Sequence, residues 1–189
     1  MSGRQVLVLN GSPRKNGNSV LLAEQVAAGA RAAGASVESF ILHNMDIQPC
    51  NACDACQGAD DAECTIQDDM QVLYPKLRQA DAIVIASPVY WFTMSAQTKL
   101  FIDRCYALEG LQGSALARKQ IGIVLTYGDT DPFSSGAVNA LRTFQDMFRY
   151  VRAEIVGFVY GSASQEGEIQ NQPDLLEKAY KLGQKLGGG

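Results

Sequence analysis

The sequence predicts an α/β protein built on a doubly wound parallel sheet with helices on both faces. Two observations predict it. Short apolar runs alternate with helix-period segments along the whole chain, the order that builds parallel strand–helix–strand units. Two of those runs, Ala82–Ser87 and Gln120–Tyr127, are nearly continuous in apolar residues, as strands buried on both faces are. The 189 residues suffice for one domain with a full core, residues 1–189.

Gln5–Asn10 reads as the first strand. Val20–Ala33 follows as a helix, apolar at Leu21, Leu22, Val26 and Ala30 and closed by Gly34. Val37–Leu42 alternates like a strand near an edge. Residues 43–65 carry no period and form a long, Cys-rich loop, a length that points to function. Asp68 or Asp69 is placed to cap a helix reaching Gln79, and Pro75 should disturb it locally. Ala82–Ser87 is the third strand, 95–106 a helix, Gln120–Tyr127 the fourth strand, 135–150 an amphipathic helix and Glu154–Tyr160 the fifth strand. A helix from Asp174 to Leu186, opened by Pro173, closes the chain, with Gly187–Gly189 as a flexible tail.

Bulk properties exclude several classes. A net charge of −4 gives no support for nucleic-acid binding. No apolar stretch reaches the about 18 residues of a membrane helix. No signal-peptide pattern opens the chain, so a cytoplasmic protein is expected. In that compartment five cysteines, four of them between 50 and 64, read as metal-binding or redox-active thiols rather than a disulfide framework.

Ligands of such folds sit beyond the carboxyl ends of the strands, where strand order reverses. The loops after the first, third and fourth strands are the unusual ones. Residues 10–19, Asn-Gly-Ser-Pro-Arg-Lys-Asn-Gly-Asn-Ser, join a strand to a helix through Gly, Ser and Asn. Backbone N–H groups, small hydroxyls and a helix N-terminus there suit a phosphate, and Arg14 and Lys15 add positive charge; the plainer alternative is an ordinary turn. Neither G-x-G-x-x-G nor G-x-x-x-x-G-K-[ST] is present. Residues 87–94, Ser-Pro-Val-Tyr-Trp-Phe-Thr-Met, put three aromatics at a strand end, suiting a flat cofactor or a protein interface, or else folding back into the core. Residues 126–131 offer Gly128 for close backbone approach and polar groups beside it.

G-S-P-R-K-x-G-N-S at 11–19, D-D-M at 68–70, A-S-P-V-Y-W at 86–91 and K-x-x-x-D-R at 99–104 together resemble the NAD(P)H-dependent FMN reductases of flavodoxin-like fold. The resemblance spans nearly the whole chain in order. It implies a five-stranded sheet of order 2-1-3-4-5, non-covalent FMN, hydride from NAD(P)H, a small-molecule acceptor, and a homodimer or homotetramer with flavin near the subunit interface. By position it implies Ser12, Arg14, Asn18 and Ser19 at the phosphate. Pro88, Val89, Tyr90, Trp91 and Phe92 would border the isoalloxazine, and Tyr127 and Gly128 the ring or ribityl. The flavin carries the chemistry, so no catalytic residue is assigned. His43 reads as structural or exposed, and Lys99, Asp103 and Arg104 as surface or helix-packing groups.

Cys50, Cys53, Cys56 and Cys64 form C-x2-C-x2-C-x7-C. Such spacing can wrap a 4Fe–4S cluster, and the motif resembles that of the iron–sulfur flavoproteins, which share this fold. Against it, cluster-free reductases of the wider family keep several of these cysteines, and Asp54, Asp60, Asp61 and Glu63 add negative charge beside an anionic cluster. Zinc is a third reading, weakened because Cys53 is shared by two close pairs. Cys105 reads as a buried thiol. Three functions follow: an FMN-dependent oxidoreductase, an iron–sulfur flavoprotein served by a ferredoxin-like donor, and a flavin-binding sensor without turnover. A flavin-only enzyme is the expectation for aerobically prepared protein.

Overall fold

The computed structural model describes residues 3–57, 59 and 63–188. In chain order the elements are β1 (Gln5–Asn10), α1 (Asn18–Ala32), β2 (Ser36–Ile41), α2 (Met70–Gln79), β3 (Ala82–Tyr90), β4 (Thr93–Met94), α3 (Ala96–Arg104), β5 (Glu109–Gly110), β6 (Gly113–Ser114), β7 (Gln120–Tyr127), α4 (Ala137–Tyr150), β8 (Glu154–Ser162) and α5 (Pro173–Gly188). Five parallel strands lie in the order β2-β1-β3-β7-β8, which is the expected 2-1-3-4-5. Strand order reverses between β1 and β3, so a crevice opens beyond their carboxyl ends.

Alternation along each strand sorts the core into two layers. Val6 and Val8 of β1, with Val84 and Val124, pack against Leu22 and Val26 of α1 and Leu182 and Leu186 of α5. Leu7 and Leu9, with Ile83, Ile85 and Ile123, face Leu73, Phe101, Phe144 and Phe148 on the other side. Both faces of the central strands are therefore covered, as their unbroken apolar runs require. No helix of the described residues is long and apolar enough to cross a membrane.

Four elements depart from the sequence reading. Gly187 and Gly188 are not a flexible tail: α5 takes in both, and Gly187 is buried. The cause is the close approach of α5 to α1, where a Cβ on Gly183 would stand 1.9 Å from the Val26 carbonyl oxygen. Gly189 lies outside the described residues. Residues 87–95 are not an irregular loop. β3 runs on through Pro88 to Tyr90 and turns back as β4, with Tyr90 opposite Thr93. Pro75 sits inside α2 without breaking it. The short β5–β6 hairpin between α3 and β7 gave no sequence signal.

Candidate active site

The three loops singled out in the sequence converge on one cleft of about 210 Å³. Its walls include Ser12, Arg14, Asn18, Ser19, Pro88, Val89, Tyr90, Tyr127 and Gly128, with Gly17 and Thr126 of the same loops, and Ala163 and Ser164, which sequence reading missed. Ala163 and Ser164 follow β8. Their signal was topological: β8 neighbours β7, so its carboxyl end opens onto the same crevice.

The first loop is fixed from both sides. Gly11 donates its N–H to the Ala86 carbonyl at 2.8 Å, and its own carbonyl accepts from Ser95 Oγ at 2.7 Å. A Cβ on Gly11 would lie 1.9 Å from Thr98 Oγ1, so the loop presses directly on the start of α3. Ser12, 2% exposed, accepts the Arg14 N–H at 3.1 Å. Gly17 is the N-cap of α1 and offers no side-chain cap to the first-turn N–H groups. Uncapped N–H groups at a positive dipole end favour an anion. Ser19 completes the picture: it is 1% exposed, and its Oγ has no hydrogen-bond partner among the described residues. A buried, unpaired hydroxyl costs roughly 1–3 kcal/mol. A bound oxyanion at this cleft would supply the missing partner.

Asn18 has a different role from the one its position suggested. Its Nδ2 donates to the Ala163 and Gln165 carbonyls at 3.2 and 2.8 Å, and its Oδ1 accepts the Ile169 N–H at 3.2 Å. The side chain is thus spent on tying the first loop to the segment after β8. Only its backbone N–H remains for an anion in the first turn of α1.

Trp91 and Phe92 do not line the cleft. They form the two-residue turn between β3 and β4 with φ of 49° and 69°. Turns of this shape usually carry Asn-Gly, and bulky residues there are strained by about 1–3 kcal/mol each. Asn139 holds the turn by donating to the Phe92 carbonyl at 3.0 Å. Gly136, at φ 77°, lies so close that a Cβ would meet Phe92 Cα at 2.5 Å. The result is an exposed aromatic rim in which Trp91 is 91% and Phe133 79% exposed. Across the cleft, Tyr127 is buried; burial, then the neighbouring Tyr160 and Asp131, raise its hydroxyl above its ordinary pKa. Ser164 Oγ donates to the Gly128 carbonyl at 2.8 Å, joining this loop to the end of β8.

The long loop is pinned at its base by the Asp-Asp-Met segment. Asp68 accepts the Gln48 N–H at 2.8 Å and the Met70 N–H at 3.0 Å, and Asp69 accepts the Asp46 N–H at 2.7 Å. Arg104, read from sequence as a surface or helix-packing group, is 1% exposed and forms a fully buried ion pair with Asp68. It also donates to the Gln48 carbonyl at 2.8 Å and to Cys64 Sγ at 3.4 Å. Two separate sequence motifs are therefore one device that anchors both ends of the loop to α3. Lys99 and Asp103 do pair on the exposed side of α3, at 2.6 Å. His43 is exposed, with its Nδ1 3.2 Å from Gln97 Nε2.

Within the loop, Cys50 and Cys53 are exposed, Cys64 is half-buried and Cys56 buried; Cys105 is buried on α3's end. The Ala55 N–H, then the Thr65 hydroxyl, pull the Cys53 thiol below its ordinary pKa. Burial pushes the Cys105 thiol well up. Among the described residues no three His, Cys, Asp or Glu side chains stand together as a metal site. Asp60 and Asp61 lie outside the described residues.

Comparison with known proteins gives the class. The chain resembles, over 97% of its length, the structure of a flavodoxin from the domain Archaea at a TM-score of 0.60 and 12% identity, covering 96% of that chain. It also resembles the NAD(P)H:quinone oxidoreductase of Methanothermobacter marburgensis at a TM-score of 0.75 and 18% identity, over 98% of both chains. These likenesses concern the fold. In sequence it is 28% identical to the iron-sulfur flavoprotein MJ1083 of Methanocaldococcus jannaschii, over 96% of this chain and 95% of that one. It is also 28% identical to YwqN of Bacillus subtilis, named as an NAD(P)H-dependent FMN-containing oxidoreductase, over 94% and 96% of the two chains. The family model for NADPH-dependent FMN reductase matches residues 4–168. The chain belongs to that family and is an FMN-dependent oxidoreductase using a nicotinamide as reductant.

Proposed function

We propose that the chain is one domain that binds a single FMN without a covalent link, in the cleft at the carboxyl ends of β1, β3 and β7. Ser12, Ser19 and the first-turn N–H groups of α1 would take the phosphate, with Arg14 as counter-charge and Asn18 as the tether that shapes the loop. Pro88, Val89 and Tyr90, with Tyr127 and Gly128 opposite, would hold the ribityl chain and ring. The Ser19 Oγ carries this reading, since it is buried at a helix N-terminus and has no hydrogen-bond partner among the described residues.

When bound, FMN supplies hydride acceptance and onward electron transfer. The chain's residues bind and orient it. None has to act as acid or base in the hydride step. The cleft is smaller than the roughly 300–1,000 Å³ of a whole small-molecule site. The ring would therefore emerge onto the Tyr90–Trp91–Phe92 rim, where a nicotinamide and then a small acceptor such as a quinone or free flavin can reach it. That exposed aromatic rim also supports a homodimer closing over the flavin. The cytoplasm is the compartment consistent with four unpaired thiols in one loop.

The test is anaerobic mixing of the FMN-loaded protein with NADPH or NADH, followed by a soluble quinone. Flavin absorbance should bleach on reduction and return with the acceptor. Flavin that stays oxidised with both nicotinamides would overturn the enzyme in favour of a sensor.

A second reading adds a 4Fe–4S cluster on Cys50, Cys53, Cys56 and Cys64, with a ferredoxin-like donor. The sequence spacing of the four thiols suits such a cluster, although among the described residues no three of them stand together as a metal site. The name of the Methanocaldococcus relative and the Arg104 hydrogen bond to Cys64 support it. Iron and acid-labile sulfide near four per chain in anaerobically purified protein, lost in Cys53→Ala with FMN retained, would favour it. Iron-free protein with full flavin turnover would exclude it.

A further inference from the structure

Three wholly buried hydroxyls stand behind the flavin cleft: Ser87, Ser95 and Thr98, each 0% exposed. None of them lines the cleft. Burying a hydroxyl is costly unless its proton and lone pairs find partners, so three at one place call for an account. Ser95 is the N-cap of α3, and its Oγ accepts the Thr98 N–H at 3.3 Å. Capping needs no more than that. It leaves the Ser95 hydroxyl proton and the whole Thr98 hydroxyl without a purpose.

Counting donors assigns the protons. Ser87 Oγ donates to the Pro88 carbonyl at 2.8 Å and accepts the Ser95 N–H at 2.9 Å. Ser95 Oγ donates its single proton to the Gly11 carbonyl at 2.7 Å. The Thr98 hydroxyl, 2.9 Å from Ser95 Oγ, is therefore the donor in that contact. A directed chain runs from Thr98 through Ser95 to Gly11, and each link polarises the next. It ends on the loop between β1 and α1. Fixing the Gly11 carbonyl also fixes the N–H that follows it, because the two point opposite ways across a trans peptide. The Ser12 N–H is thereby directed away from α3. It donates to no acceptor among the described residues, and Ser12 lines the cleft.

We propose that Ser95 and Thr98 are positioning residues for the flavin phosphate. Their hydroxyl chain sets the Gly11–Ser12 peptide so that the Ser12 N–H is presented to the phosphate, although neither side chain touches it. The proposal rests on the FMN reading of the cleft. Two further contacts hold the same peptide in place. The Gly11 N–H is bound to the Ala86 carbonyl at 2.8 Å, and the absence of a Cβ on Gly11 lets the loop lie against Thr98 Oγ1. Ser87 serves the chain from behind, since it holds the Ser95 backbone while its own proton is taken by Pro88. A donor fixed before the ligand arrives needs no ordering when it binds, which is how a rigid second layer raises affinity.

Titration of the full chain, freed of flavin, with FMN and with riboflavin tests it, because riboflavin is the same molecule without the phosphate. Wild type should bind FMN more tightly. Ser95→Ala should cut that preference by about tenfold, the value of one misaimed hydrogen bond to an ionised phosphate. Thr98→Val keeps the side-chain shape and the α3 cap; it should cut the preference severalfold, and Thr98→Ser should restore it. Riboflavin affinity should stay unchanged in all three. Should the lost cap unfold Ser95→Ala, the Thr98 pair decides. A purely structural role would lower both affinities together or move neither. Either result would overturn the proposal, as would a Thr98→Ser variant that restores nothing. A wild type that binds both flavins equally, or neither, would overturn the FMN reading of the cleft and this proposal with it. A wild type that prefers FMN, with that preference intact in the variants, would overturn the positioning role alone.

Discussion

Asp68→Ala is expected to cost about 3–5 kcal/mol of folding stability, the largest single effect the structure implies. The substitution leaves the Arg104 guanidinium buried with no counter-charge, since both side chains of the pair are almost wholly shielded from solvent. It also strips acceptors from the Gln48 and Met70 N–H groups, so the base of the Cys loop loses its anchor. The shift in denaturant midpoint measures the loss, and a change below about 1 kcal/mol would mean that the pair is solvated. The pH dependence has a defined sign. Burial alone would raise the Asp68 carboxyl, but the hydrogen bond from Arg104 and those from Gln48 and Met70 outweigh it, so its pKa lies below the ordinary range. A depressed carboxylate contributes fully above its unfolded pKa of about 3.9 and loses that contribution as pH falls through the native value. Wild-type stability should therefore decline in that acid window, and the decline should be shallower in the variant.

Ser19→Ala should weaken FMN binding by roughly tenfold to hundredfold, the value of about 1.5–3 kcal/mol for a hydrogen bond to an ionised phosphate. The same change should leave the flavin-free protein as stable as before, or slightly more so. Among the described residues the buried hydroxyl has no hydrogen-bond partner, so the substitution removes no protein contact seen there. This opposite response of affinity and stability separates a ligand-binding serine from a structural one. Equal flavin affinity in the variant, measured by fluorescence titration, would remove Ser19 from the site. Ser12 is a weaker test, because its Oγ already accepts the Arg14 N–H and its loss would disturb the loop itself.

The parts of the fold that follow from local periodicity were legible. β1 and β7 fall where their apolar runs begin and end, and the alternation of strands and helices predicts a parallel sheet, while its order 2-1-3-4-5 came from the family resemblance. What escaped depends on partners distant in sequence. Arg104 reads as surface because charged helical residues usually are; its counter-ion stands 36 residues away, across a loop without period. Asn18 belongs to a phosphate-loop pattern, yet the acceptors that take up its side chain lie beyond β8. Gly187 looks like a disordered end, and only the contact with Ala30 of α1 shows why a side chain is excluded there. The Trp91–Phe92 turn escaped for a different reason. Two bulky left-handed residues contradict local propensity and persist because Gly136 and Asn139 hold them from α4.

The cleft itself was legible at the level of loops rather than atoms. The three strand-end loops were grouped by fold logic and their individual residues by the family resemblance, and apart from Trp91 and Phe92 those residues line one cavity. The flavin-binding role of those residues rests on that geometry. The measurement that tests it most directly is the identity and stoichiometry of the cofactor released by heat from protein reconstituted with an equal mixture of FMN and FAD. A single phosphate cradle with no dinucleotide fingerprint predicts FMN, one per chain, and its loss in Ser12→Ala/Ser19→Ala. Release of FAD, or no retained flavin from a folded wild type, would contradict the account.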